Sequence, residues 1–291
     1  MPDSPPSPSP SLAGHYDAPS RDGGEPLVAR LAAAFRAAGC DPGKLSLDDV
    51  AGIDQLHLGG RRASRHLAAL GRLTAGERVL DVGCGTGGAS RLLADELGCE
   101  TVGVDITAAF VAAAEWLSRA TGMAEHTRFL CADAARTPLP GRRFEAVWCQ
   151  HALINMPDMA AVLAEWRRLL VPGGRVLLHE VVAGDNPEPL ALPVPWASTA
   201  AASHLQPREA LEARLAQTGF VAEGLEDVTA AALAWRQKHS RREATTQAPD
   251  GPALPGPGLI FGERFVEMGR NLRDNLAADK VRILAGCWRL A

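Results

Sequence analysis

No stretch of the 291-residue chain approaches the roughly 18–20 consecutive apolar residues that span a bilayer, so no membrane insertion is expected. Residues 1–24 lack the basic start and the apolar run of about 7–15 residues that mark a secretory signal. Positive charge is not in excess: 30 Lys and Arg stand against 34 Asp and Glu, a formal net charge of −4. That balance excludes nucleic-acid binding through a global basic field. Lysine is scarce, with three residues beside 27 arginines, a compositional bias without chemical consequence. The cysteines, at 40, 84, 99, 131, 149 and 287, include no pair spaced as a zinc knuckle or a CxxC redox motif. They read as reduced thiols used as small apolar side chains, and no metal is expected. A cytoplasmic protein is expected.

What is present is a hydrophobic fraction of 46% with 22% charged residues, enough for a sizeable globular core. The first 24 residues carry Pro2, Pro5, Pro6, Pro8, Pro10 and Pro19, and are expected to be a disordered tail. Leu27, Val28, Leu31 and Phe35 have helical spacing, and a second helix is predicted over 61–70. From Glu77 to Val182, short apolar segments alternate with helical patterns. Strands are predicted at Arg78–Val82, Thr101–Val104, Thr127–Cys131, Phe144–Cys149 and Arg175–Val182, the last after Pro172-Gly173-Gly174 stops a helix. The clearest helix follows Pro157, with Met159, Val162, Leu163, Trp166 and Leu169 on one face. This alternation predicts an α/β fold with a parallel sheet covered on both faces. Beyond it come a proline-containing loop over 187–207, a helix from Arg208, a strand at Phe220–Val228, helices near 229–245 and from Phe265, and a closing strand at Val281–Leu290.

Val79-Leu80-Asp81-Val82-Gly83-Cys84-Gly85-Thr86-Gly87-Gly88 ends the first strand and opens a helix. Gly83, Gly85 and Gly88 fit G-x-G-x-x-G, and Asp105 ends the second strand, placed to accept hydrogen bonds from ribose hydroxyls. These features indicate a nucleoside-containing ligand without choosing it. Asp81 chooses. A carboxylate facing the loop repels a pyrophosphate and favours a ligand with a sulfonium and an ammonium, as in S-adenosylmethionine (SAM). Asp133, after strand three, adds an acceptor for an adenine amino group.

On these residues the sequence resembles the class I SAM-dependent methyltransferases. The matching blocks are VLDVGCGTGG, VGVDIT, FLCADAARTPLP, RFEAVWCQHALINMPD and LLVPGGRVLLHEVV, in order over about residues 77–182. Outside them, the lead-in DQLHLGG, the segment Pro193-Val194-Pro195-Trp196-Ala197 and the Asn271–Cys287 tail are similar to a bacterial small-molecule subgroup. The resemblance implies a Rossmann-like seven-stranded, mostly parallel sheet with helices on both faces, its last strand antiparallel, and helical cap elements. It implies that Gly83, Gly85 and Gly87 approach the methionine part of SAM. Asp105 would hold the ribose, Ile106 pack on the adenine, Asp133 and Ala134 line the adenine site, and Gln150 lie near the sulfonium. His57, with Gly59 and Gly60, would close over the amino-acid end.

The domain division expected is a tail at 1–24, a helical cap at 25–75, and a methyltransferase domain at 76–291 with cap insertions at about 184–215 and 229–276. In-line methyl transfer needs positioning above all, and a base only where the acceptor must lose a proton. His151, just past strand four, is the candidate base. His179 and Glu180 fall in strand five, in a core or supporting place. Arg61, Trp196, His204 and Trp235 are candidate acceptor contacts, the tryptophans as aromatic walls; His15 and His239 read as solvated. The DPPY-type loop of nucleic-acid amino-methyltransferases is absent where Gln150-His151-Ala152-Leu153 stands, so no nucleic-acid partner is expected. The expected activity is methyl transfer from SAM, giving S-adenosylhomocysteine (SAH), to an N, O or C atom of a small-molecule metabolite, in specialised metabolism. The sequence leaves the acceptor and the choice of monomer or homodimer open. Two alternatives stand beside it: an NAD-dependent oxidoreductase using the same glycine loop, and a non-catalytic SAM-binding regulatory protein.

Overall fold

The computed structural model describes residues 25–245 and 253–291. The expected disorder of residues 1–24, with His15, falls outside them. Seven strands form one sheet: β1 (Arg78–Val82), β2 (Glu100–Asp105), β3 (Thr127–Cys131), β4 (Phe144–Gln150), β5 (Leu170–Ala183), β6 (Phe220–Asp227) and β7 (Val281–Leu290). Their order is β3-β2-β1-β4-β5-β7-β6. Strands β1 to β5 pair in parallel, and β7 runs antiparallel to both β5 and β6. This is the Rossmann-like seven-stranded sheet with its last strand reversed. Among the described residues, eight helices of ten or more residues surround it: α1 (Leu27–Ala37), α2 (Gly60–Leu70), α3 (Gly88–Leu97), α4 (Ala108–Ala120), α5 (Met159–Leu169), α6 (Arg208–Gln217), α7 (Thr229–Thr245) and α8 (Phe265–Ala277).

The period of two along each strand sorts side chains between the faces. Leu80, Val82, Val147, Cys149, Val176 and Leu178 are buried with Trp166 and Leu169 of α5. Val79, Ala146, Trp148 and Leu177 face the other way, onto Leu67 of α2 and Leu92 and Leu93 of α3. Each such leucine contributes about 1.5–3 kcal/mol by burial. Both faces being covered explains why these strands read as nearly unbroken apolar runs. Helix α5 begins where Asp158 accepts a hydrogen bond from the Ala161 N–H at 3.0 Å.

Helix α6 begins inside the expected cap insertion, and its Leu211 and Leu215 are buried beside Trp166 and Phe220, so α6 covers the sheet. Two local expectations are corrected. Strand β5 starts at Leu170: Phe144 opposes Leu170 and Ala146 opposes Arg175, so the Pro-Gly-Gly segment bulges out inside the strand. Cys131 is exposed at the end of β3, whereas Cys84, Cys99, Cys149 and Cys287 are buried.

Two outer layers complete the chain. Leu27, Leu31 and Phe35 of α1 pack on Phe110 and Leu117 of α4. At the opposite side, Trp196, Ala232, Leu272 and Leu276 pack against Val181 and Ile283 of the sheet. The buried Asn275 fastens this second layer: its Oδ1 accepts from the Ala191 N–H at 2.8 Å and its Nδ2 donates to the Ala191 carbonyl at 2.9 Å. From β1 the chain builds outward through β2 and β3, then returns to place β4 on the other side. The crevice at the carboxyl ends of β1 and β4 is the topological switch point where open α/β sheets bind ligands.

Candidate active site

A cavity of about 630 Å³ opens at that switch point, within the range typical of small-molecule sites. Its floor begins with the turn after β1. Gly85 adopts φ +52°, and a Cβ there would meet only Leu56 Cδ1, at 3.8 Å, so the backbone is bare toward the cavity. Asp105 is fixed by two backbone donors: Gly85 N–H to Oδ2 at 2.9 Å and Thr107 N–H to Oδ1 at 2.8 Å. Asp81, buried at the end of β1, accepts from Ser90 Oγ at 2.7 Å, and burial pushes its carboxyl up to about 6. Asp133 lines the same cavity, with Oδ1 accepting from the Ala135 N–H at 2.9 Å.

The lead-in segment lies directly over this turn. Thr86 Oγ1 donates to the Ile53 carbonyl at 2.8 Å, and a Cβ on Gly88 would fall 1.9 Å from the Asp54 carbonyl oxygen. Only glycine permits that approach. Asp54 forms a fully buried ion pair with Arg91, whose guanidinium also donates to the Thr86 carbonyl at 2.8 Å. The two Nη groups of the guanidinium are engaged, and removing either partner of a charge pair this deep is costly.

Three imidazoles meet at the end of β4, where Gln150 pairs with His179 inside β5. His151 and His179 are stacked, with centroids 5.0 Å apart and planes 9° from parallel, and His57 lies 5.9 and 5.7 Å from them. Burial holds all three neutral: His57 falls to about 4 and His179 to about 3. His151 lies well below its ordinary value, through burial and then its two neighbours. His57 is fixed by Nδ1 against the Leu58 carbonyl, at 3.1 Å. Gln150 Oε1 accepts from Trp148 Nε1 at 2.9 Å and Ser64 Oγ at 3.1 Å. His151 has φ +52°, a strained backbone for a non-glycine residue, and its N–H donates to the His179 carbonyl at 2.9 Å. Glu180 holds the segment that follows, with Oε2 accepting from the Leu153 N–H at 2.8 Å. Burial pushes the Glu180 carboxyl up to about 7. Five of the eight buried side-chain polar atoms found without a partner among the described residues belong to Gln55, Gln150, His151, Asn155 and His179. Such groups are rare in native interiors, and Gln55, Gln150, His151 and Asn155 among them line the cavity, where a polar ligand would satisfy them.

Of the residues singled out from sequence, Asp81, Gly83, Gly85, Asp105, Ile106, Asp133, Ala134, Gln150, His151 and His57 line this cavity, as do Trp196, His204 and Trp235. Gly87 is placed differently: a Cβ there would meet the Phe129 ring at 2.7 Å, so it serves packing. Gly60 lies beside the indole of Trp235. Arg61 turns away from the cavity and pairs with Asp48 at 2.9 Å. His239 is not simply solvated, because it stacks on Trp235 one helical turn earlier, at 3.8 Å between centroids. Sequence reasoning missed Asn155, Arg236, Asp54 and Arg91. Asn155 stood inside the block after β4 and Asp54 at the head of the lead-in motif, whereas nothing in the local pattern marks Arg236.

A family model described as a methyltransferase domain matches residues 80–178, from Leu80 in β1 to Leu178 in β5. The match is to the region where the five sequence blocks resemble the class I SAM-dependent methyltransferases. The methyltransferase GfsG of Streptomyces halstedii is 32% identical over 146 residues, covering 50% of this chain and 52% of that relative, so the match spans about half its length. Geranyl diphosphate C-methyltransferase from Streptomyces coelicolor A3(2) has been solved with Mg²⁺, geranyl-S-thiolodiphosphate and SAH. It matches this fold at a TM-score of 0.67 and 17% identity, over 99% of this chain and 100% of that one. The [4+2]-cyclase SpnF matches at a TM-score of 0.64 and 22% identity, over 91% and 94%. The fold shared with these structures extends well beyond residues 80–178.

Proposed function

We propose that this protein is a SAM-dependent methyltransferase acting on an N, O or C atom of a small molecule. One observation carries the reading. A single cavity joins the backbone-fixed carboxylate of Asp105 and the bare turn at Gly85 to a chamber under α7 and α8. The donor set fits the cofactor: Asp105 for the ribose, Ile106 for the adenine face, and Asp133 for its amino group. Asp81 faces the part of the ligand that carries positive charge. When bound, SAM supplies a methyl group made electrophilic by its sulfonium. The chain supplies orientation and a water-poor chamber, and holding two reactants in place is worth up to roughly 7–11 kcal/mol.

His151 is the proposed proton acceptor where the acceptor must lose a proton. It is neutral at pH 7 and lines the cavity. Burial moves its basicity away from the operating pH at which a base works best, so it can take a proton only from an acceptor that is itself acidic. Replacing His151 with Ala lowers turnover at least tenfold while SAH affinity changes little; unchanged turnover would reduce the imidazole to a wall of the chamber. Against the nicotinamide alternative stands Asp81, a carboxylate where a pyrophosphate would lie. Calorimetric titration decides between them: SAH binds at micromolar levels and NAD and NADH do not. Tight binding of NADH alone would overturn the methyltransferase reading.

A further inference from the structure

The chamber beyond the cofactor side of the cavity has a distinct chemistry. Its walls include the rings of Trp196, Trp235, Phe261 and Phe265 together with Leu272 and Met156. Among the described residues, charge around the cavity is one-sided: five aspartates and one arginine line it, and none of Lys44, Lys238 and Lys280 does. The arginine, Arg236, is buried and already engaged, with Nε and Nη2 each 3.2 Å from Ser240 Oγ. Its guanidinium lies 3.0 Å from where a Gly269 Cβ would stand, so it is packed into the α7–α8 contact. Phosphate recognition calls for several charge-assisted donors converging on one point, and this arrangement does not supply them. Nor, among the described residues, is any group of three or more His, Cys, Asp or Glu side chains placed to hold a metal ion that would bridge a phosphate to the carboxylates.

A cationic acceptor meets the opposite difficulty. The sulfonium of the cofactor would stand next to it, and like charges in a low-dielectric chamber repel strongly. The acid on the chamber side, Asp158, is exposed and occupied in capping α5. What the chamber offers instead is an amide. Asn155 lines the cavity at 8% exposure, and its Oδ1 has no hydrogen-bond partner among the described residues. Its backbone is fixed in a short turn by donation to the Ala152 carbonyl at 3.0 Å, and Glu180 anchors that turn through the Leu153 N–H. A carboxamide both donates and accepts, so it matches a hydroxyl or carbonyl without requiring charge.

We infer that the methyl acceptor is an uncharged, largely apolar molecule whose hydroxyl or carbonyl group is held by Asn155 beside His151, and that phosphate esters are rejected. This deepens the proposed methyltransferase reading and rests on it. The test uses a matched pair of probes, 2-naphthol and 2-naphthyl phosphate, titrated calorimetrically into full-length protein saturated with SAH. Naphthol is expected to bind at least tenfold more tightly than its phosphate. Asn155→Ala is expected to weaken naphthol about three- to tenfold, the range of one neutral hydrogen bond, with SAH affinity unchanged. Equal or tighter binding of the phosphate ester, no binding of naphthol to the SAH-loaded protein, or equal naphthol affinity in a folded Asn155→Ala variant would each overturn the inference. Absence of SAH binding in the first step would instead remove the cofactor reading beneath it.

Discussion

The two sides of the cavity are built in opposite ways. On the sheet side, Asp81, Gly85, Asp105, Asp133 and Gln150 come from the ends of β1 to β4 and the turns that follow them. Each is held by a backbone or side-chain partner close in the fold, such as the Gly85 and Thr107 N–H groups on Asp105. On the cap side, Asn155, Trp196, Trp235, Arg236 and Phe265 come from a turn, a proline-containing loop and two helices far apart in sequence. Their positions depend on long-range fastenings such as Asn275 to Ala191. The difference teaches where specificity resides. Under the proposed function, the strand ends would hold the cofactor and the distant loops would shape the acceptor chamber.

If the sheet side is a rigid, pre-formed site, its buried charge should matter most to the fold. Arg91→Ala leaves Asp54 buried without its partner, and about 3–5 kcal/mol of stability should be lost. Urea unfolding measures this, and a loss below about 1 kcal/mol would show that the lead-in segment is not locked to the glycine turn. The imidazole cluster between the two sides gives a smaller, pH-dependent effect. His57, His151 and His179 titrate below their ordinary value of about 6.5. Below that pH the unfolded chain therefore binds protons that the native state refuses, so their contribution is full above about 6.5 and is lost as pH falls. Asp81 and Glu180, raised to about 6 and 7, act in the opposite sense, their native form favoured as pH falls. A difference measurement separates the two. Between pH 7 and 5, His179→Gln should lose about 2 kcal/mol less stability than the parent, the cost of one histidine kept neutral 1.5 units below its ordinary pKa. Identical losses would mean that His179 accepts its proton in the folded state.

The smallest effect sharpens the boundary of the site. Arg61 pairs with an Asp48 side chain that is 94% exposed, an interaction worth about 0–1 kcal/mol. Arg61→Ala should leave SAH affinity within twofold, and a loss of tenfold or more would return this residue to the ligand site.

The sheet side was legible because its information is local. A strand, a glycine turn and a carboxylate at the next strand end are read within about 30 consecutive residues, and the period of two in Val79 to Val82 already separates the faces of the sheet. Gly87 and Gly88 show the limit. Both stand in the motif, yet what each avoids, the Phe129 ring for one and the Asp54 carbonyl for the other, becomes visible only when distant segments are brought together. Trp196, His204 and Trp235 could be named from residue type, but their convergence needed the cap to be built. Arg61 carried the same kind of signal and lies elsewhere. Asn155 was passed over because a lone amide carries no pattern, and its meaning comes from burial without a partner. The layer of helix α6 was not legible, because Leu211 and Leu215 give only one stripe, and that stripe does not say which layer it meets.

The central claim is that cofactor and acceptor occupy different sides of one cavity. Calorimetric titration of SAH into Asp105→Ala and Asn155→Ala, side by side with the parent protein, tests it most directly. The account predicts a loss of roughly 10- to 100-fold for Asp105→Ala, as expected when a charged hydrogen-bonding partner worth about 1.5–3 kcal/mol is removed, and less than twofold for Asn155→Ala. Unchanged affinity in a folded Asp105→Ala, or an equal loss in both variants, would contradict it.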